Sequence, residues 1–136
     1  MMLLRLHSSS LTHYRATHMP QIHLAGHGLQ SCTASIDYPR PERLISGNPQ
    51  RTTHSLYEHP NMSCGIWHCD VGAWRIEFAD NKQEFFQVIQ GIVRLHDADG
   101  QTVEIHAGDA GIIPPSFVGV FEVVETVQKY YVIVES

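Results

Sequence analysis

The sequence predicts an all-β fold. From Pro39 onward, short apolar runs alternate with turn signals every eight to twelve residues, which is the pattern of a β-sandwich or a β-barrel. No stretch carries the 3.6-residue apolar period of an amphipathic helix. The length of 136 residues indicates one domain, and we place it at residues 39–136, after an irregular N-terminal extension of residues 1–38.

The positions of apolar runs and turn residues predict where each strand begins and ends. Prolines and glycines predict an irregular path from Pro39 to Pro60. A tight hairpin is expected at residues 97–100, because Gly100 is free to take a positive φ, and another turn is expected at residues 106–109. The predicted strands are residues 64–69, 74–78, 84–90, 92–96, 102–106, 111–113, 120–124 and 129–134.

Alternation along the strand at residues 84–90 assigns its two faces. Glu84, Phe86 and Val88 share one side, and Phe85 and Ile89 lie on the other. Large apolar side chains on an outer sheet face are expected to be covered by a partner subunit or by a packed N-terminal segment. The chain is therefore predicted to form a homodimer.

Composition excludes two classes of function. A formal net charge of −5 with nine basic residues argues against a nucleic-acid partner, and no apolar stretch approaches the ~20 residues that span a bilayer. Three cysteines without a C-x-x-C pair favour reduced thiols in the cytoplasm. The acid-free start leaves three alternatives open: a true start at Met19, a disordered tail, or a transit peptide.

One stretch of the chain has a specific spacing. Gly72, Phe78, Asp80, Glu84 and Gly91 occupy the five defined positions of the pattern G-x5-H-x-H-x3-E-x6-G. This is the first cupin motif, and it lacks both of the histidines that would bind a metal.

A second stretch also matches a known motif in its spacing but lacks the metal-binding histidine. Gly108, Pro114, Ser116, Gly119 and Val123 stand at the positions of G-x5-P-x-G-x2-H-x3-N. This is the second cupin motif, and the position of its metal-binding histidine holds a glycine.

These motifs identify the chain as a member of the cupin superfamily, the RmlC-like jelly rolls. The chain is most similar to the small single-domain cupins grouped with ureidoglycine aminohydrolase and the ethanolamine-utilisation Q-like proteins. The resemblance implies a double-stranded β-helix barrel whose lumen holds the functional site. It does not define an activity, because one fold hosts many chemistries.

The departures from the motifs predict that the barrel holds no tightly bound metal. A transition-metal site needs three or four converging N, O or S ligands, whereas the corresponding positions offer Phe78, Asp80, Glu84 and Gly119. Two carboxylates would hold a divalent ion only weakly. No cofactor is therefore expected, and no other metal ligands are predicted.

The predicted site combines polar groups with aromatic walls. Glu84, Lys129 and Tyr131 are the candidate catalytic residues, since a carboxylate, an amine and a phenol in one cavity suit acid–base chemistry. An aromatic cavity with a few polar groups is equally typical of a ligand pocket. The candidate ligand-binding residues are Trp67, Trp74, Phe78, Asp80 and Phe121.

Three functions stay open at this point, and whether the protein is an enzyme is one of the open questions. The first is binding of a small polar metabolite, nitrogenous or carboxylate-bearing, in the lumen. The second is metal-free acid–base catalysis, either isomerisation, epimerisation or C–N hydrolysis, with Lys129 as base and Tyr131 as acid. The third is a non-catalytic structural dimer, in which Glu84 and Lys129 form an architectural clamp.

Overall fold

The computed structural model describes residues 19–26 and 33–136. Within them lie nine β-strands, one short 3-10 helix at Pro41–Arg43, and no α-helix. The predicted all-β jelly-roll fold is confirmed. The strands are β1 (Ala34–Asp37), β2 (Leu44–Ser46), β3 (Arg51–His59), β4 (Met62–Cys69), β5 (Gly72–Glu77), β6 (Lys82–Asp97), β7 (Thr102–His106), β8 (Ala110–Ile113) and β9 (Val118–Glu135).

Two long antiparallel strands, β6 and β9, form the centre of the sheet. They pair with each other from Lys82↔Glu135 to Asp97↔Gly119. The other edge of β9 pairs with β4 and then with β5, and the other edge of β6 pairs with β8 and then with β7. Beyond β4 lie β3 and β1, and β2 pairs with β5. Each long strand thus pairs along its other edge with two shorter strands, and the sheet curls around its inner face.

The bend in β6 falls at Gly91. Its φ is 94°, a value that L side chains rarely adopt, and the register with β9 shifts on both sides of it. The hairpin between β6 and β7 was predicted correctly, since Gly100 has a φ of 84° and donates its backbone N–H to the carbonyl of Asp97. Ser116 also has a positive φ, 64°, and occupies the position where the second cupin motif has glycine.

The core lies on the inner face of the curled sheet. Phe86 and Val88 of β6 and Val123 and Val127 of β9 are at most 1% exposed, as expected for side chains that alternate toward one face of each strand. The predicted faces of β6 are confirmed, because Phe85 and Ile89 point outward and are 49% and 38% exposed.

Two features of the strand prediction were wrong. The irregular path expected between residues 39 and 60 contains the nine-residue strand β3, whose side chains are mostly polar and carry no apolar alternation. In addition, the pairs of strands predicted at residues 84–96 and 120–134 are single strands, β6 and β9. Backbone pairing continues through the bend at Gly91, so this glycine curves the strand without ending it.

The described part of the N-terminal extension contacts the outer face of the sheet at two points and pairs with it through β1. The ring of His23 meets Tyr57 edge-on at 5.2 Å between centroids, and Gly26 lies against the hydroxyl of Tyr130. Farther along, β1 pairs with β3 through residues 34–37. The predictions for residues 1–18 lie outside the described residues.

Among the residues that the structure describes, no helix is long and apolar enough to cross a membrane.

Cys69 contributes stability that depends on pH. It is fully buried, and burial raises the pKa of its thiol from 9.0 to about 12, with the positive charge of Arg51 opposing the shift. A raised pKa in the folded state makes this contribution complete below pH 9 and progressively lost between pH 9 and 12. We predict that the difference in unfolding free energy between the wild type and Cys69→Ala is constant below pH 9 and shrinks above it. Urea unfolding at several pH values measures this difference, and a difference that grows above pH 9 would contradict the prediction.

Candidate functional site

The inner face of the sheet encloses a cavity of about 390 Å³, within the range of small-molecule pockets. The structure brings most of the predicted site residues together around it. The predicted residues that line the cavity are Trp67, Trp74, Phe78, Glu84, Phe121, Lys129 and Tyr131.

A buried ion pair lies in the wall of this cavity. Lys129 Nζ donates a hydrogen bond to Glu84 Oε2 at 2.7 Å, and the two residues are only 4% and 8% exposed. The pairing of β6 with β9 positions them, since Val88 is the register partner of Lys129 and Glu84 that of Ile133. The two side chains therefore start from the same face of neighbouring strands, four residues apart along the pairing, and the long side chain of Lys129 spans this offset.

Three aromatic rings surround the ammonium group of Lys129. Its Nζ lies 4.3 Å from the ring centroid of Phe86, 4.6 Å from that of Trp67 and 4.8 Å from that of Phe121. Each ring presents the negative side of its quadrupole to the cation. Trp74 packs against Phe121 at 5.3 Å between centroids and extends the aromatic wall. The charge of Lys129 is thus balanced by one carboxylate and by the rings.

The pair retains unused hydrogen-bonding capacity. An ammonium group has three N–H donors, and among the described residues only Glu84 accepts one of them. The second carboxylate oxygen, Glu84 Oε1, also has no hydrogen-bond partner among these residues. A fully buried atom without a partner is found in the described chain only at His54 Nδ1, so Glu84 Oε1 is not fully buried. Glu84 Oε1 is therefore accessible from the cavity.

Tyr131 lies near this pair but faces another group. Burial raises the pKa of the Tyr131 phenol, and a hydrogen bond with Ser55 opposes the shift. Its hydroxyl reaches toward Gly65, where an added Cβ would lie 2.9 Å from it. Within the described chain no hydrogen bond joins Tyr131 to Glu84 or Lys129, so the hydroxyl points toward β3 and β4.

Asp80 is the predicted ligand-binding residue that the cavity does not include. It is exposed in the turn between β5 and β6 and is not part of the cavity lining. Phe78, two residues earlier, does line the cavity and carries the ammonium of Lys82 at 4.9 Å over its ring.

The residues at the cupin metal positions do not fit a transition metal. The ring of Phe78 offers no ligand atom, Asp80 lies outside the cavity, and Glu84 is bound to Lys129. At Gly119 even a Cβ would collide with the backbone carbonyl of His96 and with the Phe117 ring, which leaves no room for an imidazole. Among the described residues no group of three or more His, Cys, Asp or Glu side chains could hold a metal ion.

Sequence reasoning missed the polar residues near the cavity mouth. Arg51 and Thr53 of β3, Lys82 of β6, and Asp37 of β1 all line the cavity. Arg51 forms a bidentate ion pair with Asp37, with N–O distances of 2.9 and 2.6 Å, and its guanidinium lies 5.3 Å from the Trp74 ring centroid. The signal for Arg51 was weak, because β3 was not predicted as a strand.

The family model of EutQ-like cupin domains matches residues 57–131, and none of the curated proteins matches the chain. This confirms the predicted membership of the cupin superfamily, with EutQ-like proteins among the relatives. The predicted likeness to ureidoglycine aminohydrolase stays a prediction.

Solved structures of cupins share the fold at low sequence identity. A DUF861-family protein of unknown function from Pseudomonas syringae is 23% identical, with a TM-score of 0.66 over 75% of this chain and 43% of that one. The present chain thus matches less than half of the length of the Pseudomonas protein. The EutQ protein of Clostridium difficile is 23% identical, with a TM-score of 0.58 over 73% and 80% of the two chains. A putative ethanolamine utilization protein Q from Salmonella typhimurium is 20% identical, with a TM-score of 0.57 over 88% and 98%.

The effects of removing the two buried partners are predicted to be coupled, so that removing both lowers the unfolding free energy by less than the sum of the two single effects. Lys129→Met leaves the Glu84 carboxylate buried without a counter-charge, which should lower the unfolding free energy by about 3–5 kcal/mol. Glu84→Gln leaves the ammonium group of Lys129 buried without a counter-charge and should lower the unfolding free energy by a similar amount. The double variant removes both charges and should lose less than the sum of the two single changes. Urea denaturation of the four proteins measures this coupling.

The exposed pair of Arg94 and Glu104, whose N–O distance is 2.9 Å, provides a matched control. Solvent screens such surface pairs, so the same cycle at Arg94 and Glu104 should show little coupling. Equal coupling in the two cycles would contradict the prediction.

Proposed function

The chain belongs to the family of EutQ-like cupin domains, and from that premise we propose that it binds a small polar metabolite in the barrel lumen. The observation that carries this proposal is the buried pair of Glu84 and Lys129, joined at 2.7 Å, with unused donors and an open acceptor beside a cavity. A ligand would complete the hydrogen bonds that the protein leaves unmade, and such bonds to charged groups contribute about 1.5–3 kcal/mol.

The pair defines the chemistry of the ligand. Lys129 offers N–H donors and Glu84 Oε1 offers an acceptor, so the matching group carries an acceptor and a donor on neighbouring atoms. Amides, ureido groups and hydroxy acids meet this requirement. The rings of Trp67, Trp74 and Phe121 would pack on the flat or apolar part of the same molecule. The ligand is therefore a nitrogenous or carboxylate-bearing metabolite.

Metal-free acid–base catalysis is the second use that these residues could serve, and two observations favour binding over it. Lys129 is held in an ion pair as an ammonium group, and an ammonium group has no lone pair with which to accept a proton. Burial raises the pKa of Tyr131, which makes the phenol a weaker proton donor. The alternative of a plugged, purely structural barrel is disfavoured by a cavity of about 390 Å³.

We also propose that the protein acts as a homodimer in the cytoplasm. The free thiols of Cys64 and Cys69 suit a reducing compartment. On the outer face, Ile112, Phe85 and Val132 are register partners in a row across β8, β6 and β9. Ile112 and Phe85 are 66% and 49% exposed, and a second copy could cover this self-complementary apolar row.

Ligand binding is tested by thermal and chemical stability in the presence of amides, ureides and hydroxy acids. A ligand at 100 times its dissociation constant should raise the unfolding free energy by about 2.7 kcal/mol. The Glu84→Gln and Lys129→Met variants should lose this gain, and Arg94→Gln on the outer face should keep it. A screen in which no compound stabilises the wild type, or in which the lumen variants respond like the wild type, would contradict the proposal.

Dimerisation is tested by light scattering coupled to size-exclusion chromatography. Phe85→Lys combined with Ile112→Lys should convert the dimer to a monomer, because two buried ammonium groups would face each other across the interface. Ile45→Lys, at a 54% exposed position on β2, is the control and should leave the dimer intact. A wild-type protein that is monomeric at high concentration would refute the dimer.

A further inference from the structure

A strongly basic cleft lies beside the lumen. It has a volume of about 210 Å³, and its lining contains one acidic residue, Glu77, and five basic ones: Arg40, Arg43, Arg51, Arg75 and Lys82. These are five of the nine Lys and Arg residues of a chain whose net charge is −5. Such a concentration of one charge in a concave site attracts ligands of the opposite charge.

The carboxylates near the cleft neutralise only part of this charge. Asp37 pairs tightly with Arg51, whereas Glu77 is 3.6 Å from Arg43 and Glu42 is 4.0 Å from Arg40. The side chains of Glu77 and Glu42 are 65% and 67% exposed, and exposed pairs of this kind are weak. Five cations against three carboxylates leave an excess of two positive charges.

Arg75 and Lys82 account for that excess. Neither has a carboxylate within ion-pair distance in residues 19–26 and 33–136. Arg75 donates one N–H to the backbone carbonyl of Glu42 at 2.9 Å, and a guanidinium has five such donors. Lys82 lies over the Phe78 ring. Both cations therefore retain donors for an anion.

The strand arrangement places this cleft at an open edge. β2 pairs with β5 only at Ala73 and Trp74, so the following residues of β5, Arg75 to Glu77, have no strand partner on that side. The loop and 3-10 helix around Arg40 and Arg43 form the facing wall. The cleft adjoins the lumen, because both are lined by Arg51, Trp74, Ile76, Phe78 and Lys82.

We propose that this cleft is a binding site for a dianionic group, a phosphate monoester or a dicarboxylate, on a small molecule that enters the barrel. A phosphate monoester carries nearly two negative charges at neutral pH, which matches the two uncompensated cations. Arginine recognises both phosphate and carboxylate groups through paired N–H bonds. The inference rests on the proposed function only for the part of the ligand that reaches the lumen, where the pair of Glu84 and Lys129 binds it.

Calorimetric titration with methyl phosphate, malonate and acetate at low ionic strength tests the site. Methyl phosphate or malonate should bind at least tenfold more tightly than acetate, and the stronger of the two identifies the group. Arg75→Gln and Lys82→Gln should each weaken dianion binding about tenfold or more, because each removes a hydrogen-bonded charge. High salt should weaken binding in the wild type.

Arg94→Gln, which removes a cation on the outer face, is the matched control and should bind the dianions as the wild type does. The variant with both Glu84→Gln and Lys129→Met should also keep dianion binding while it loses lumen ligands, so the two proposals can fail separately. The inference is overturned if acetate binds as tightly as the dianions, if no dianion binds, or if Arg94→Gln weakens binding as much as Arg75→Gln. Circular dichroism confirms that each variant is folded.

Discussion

The long pairing of β6 with β9 is the constraint on which the rest of the structure depends. It runs from Lys82↔Glu135 to Asp97↔Gly119 and fixes which side chains meet on the inner face. Each of the shorter strands β4, β5, β7 and β8 pairs with one of these two. A slip of one residue would turn every inner side chain of one strand outward, and both the core and the pair of Glu84 and Lys129 would be lost together.

The lumen buries an ion pair where it contributes little to stability. Desolvation offsets much of the attraction between Glu84 and Lys129, so a hydrocarbon pair of the same volume would hold the barrel at least as well. The aromatic rings around Lys129, at 4.3–4.8 Å, make this charge tolerable in an apolar wall. The arrangement supports the proposed binding of a ligand, because the folding of the barrel does not require a buried ion pair.

Much of the fold and part of the site could be predicted from the sequence, for physical reasons that differ between elements. Strict alternation on β6 revealed that Glu84, Phe86 and Val88 share the inner face. β3 was missed because Arg51 and Thr53 face the polar mouth of the cavity, which removes the apolar alternation on which strand prediction depends. The cleft could not be predicted at all, since Arg40 and Arg43 come to lie beside Arg75 only through the pairing of β2 with β5.

The position of β9 in the chain has a consequence for how the protein folds. Its partners are distant in sequence, with Met62 pairing with Val134 and Gly72 with Val123. Contacts of such separation close large loops and make folding slow. During synthesis β4, β5 and β6 exist before the strand that joins them, and their unpaired edges are open to association with other chains. The barrel therefore closes only after β9 has been synthesised, and until then the chain exposes strand edges that the folded protein pairs.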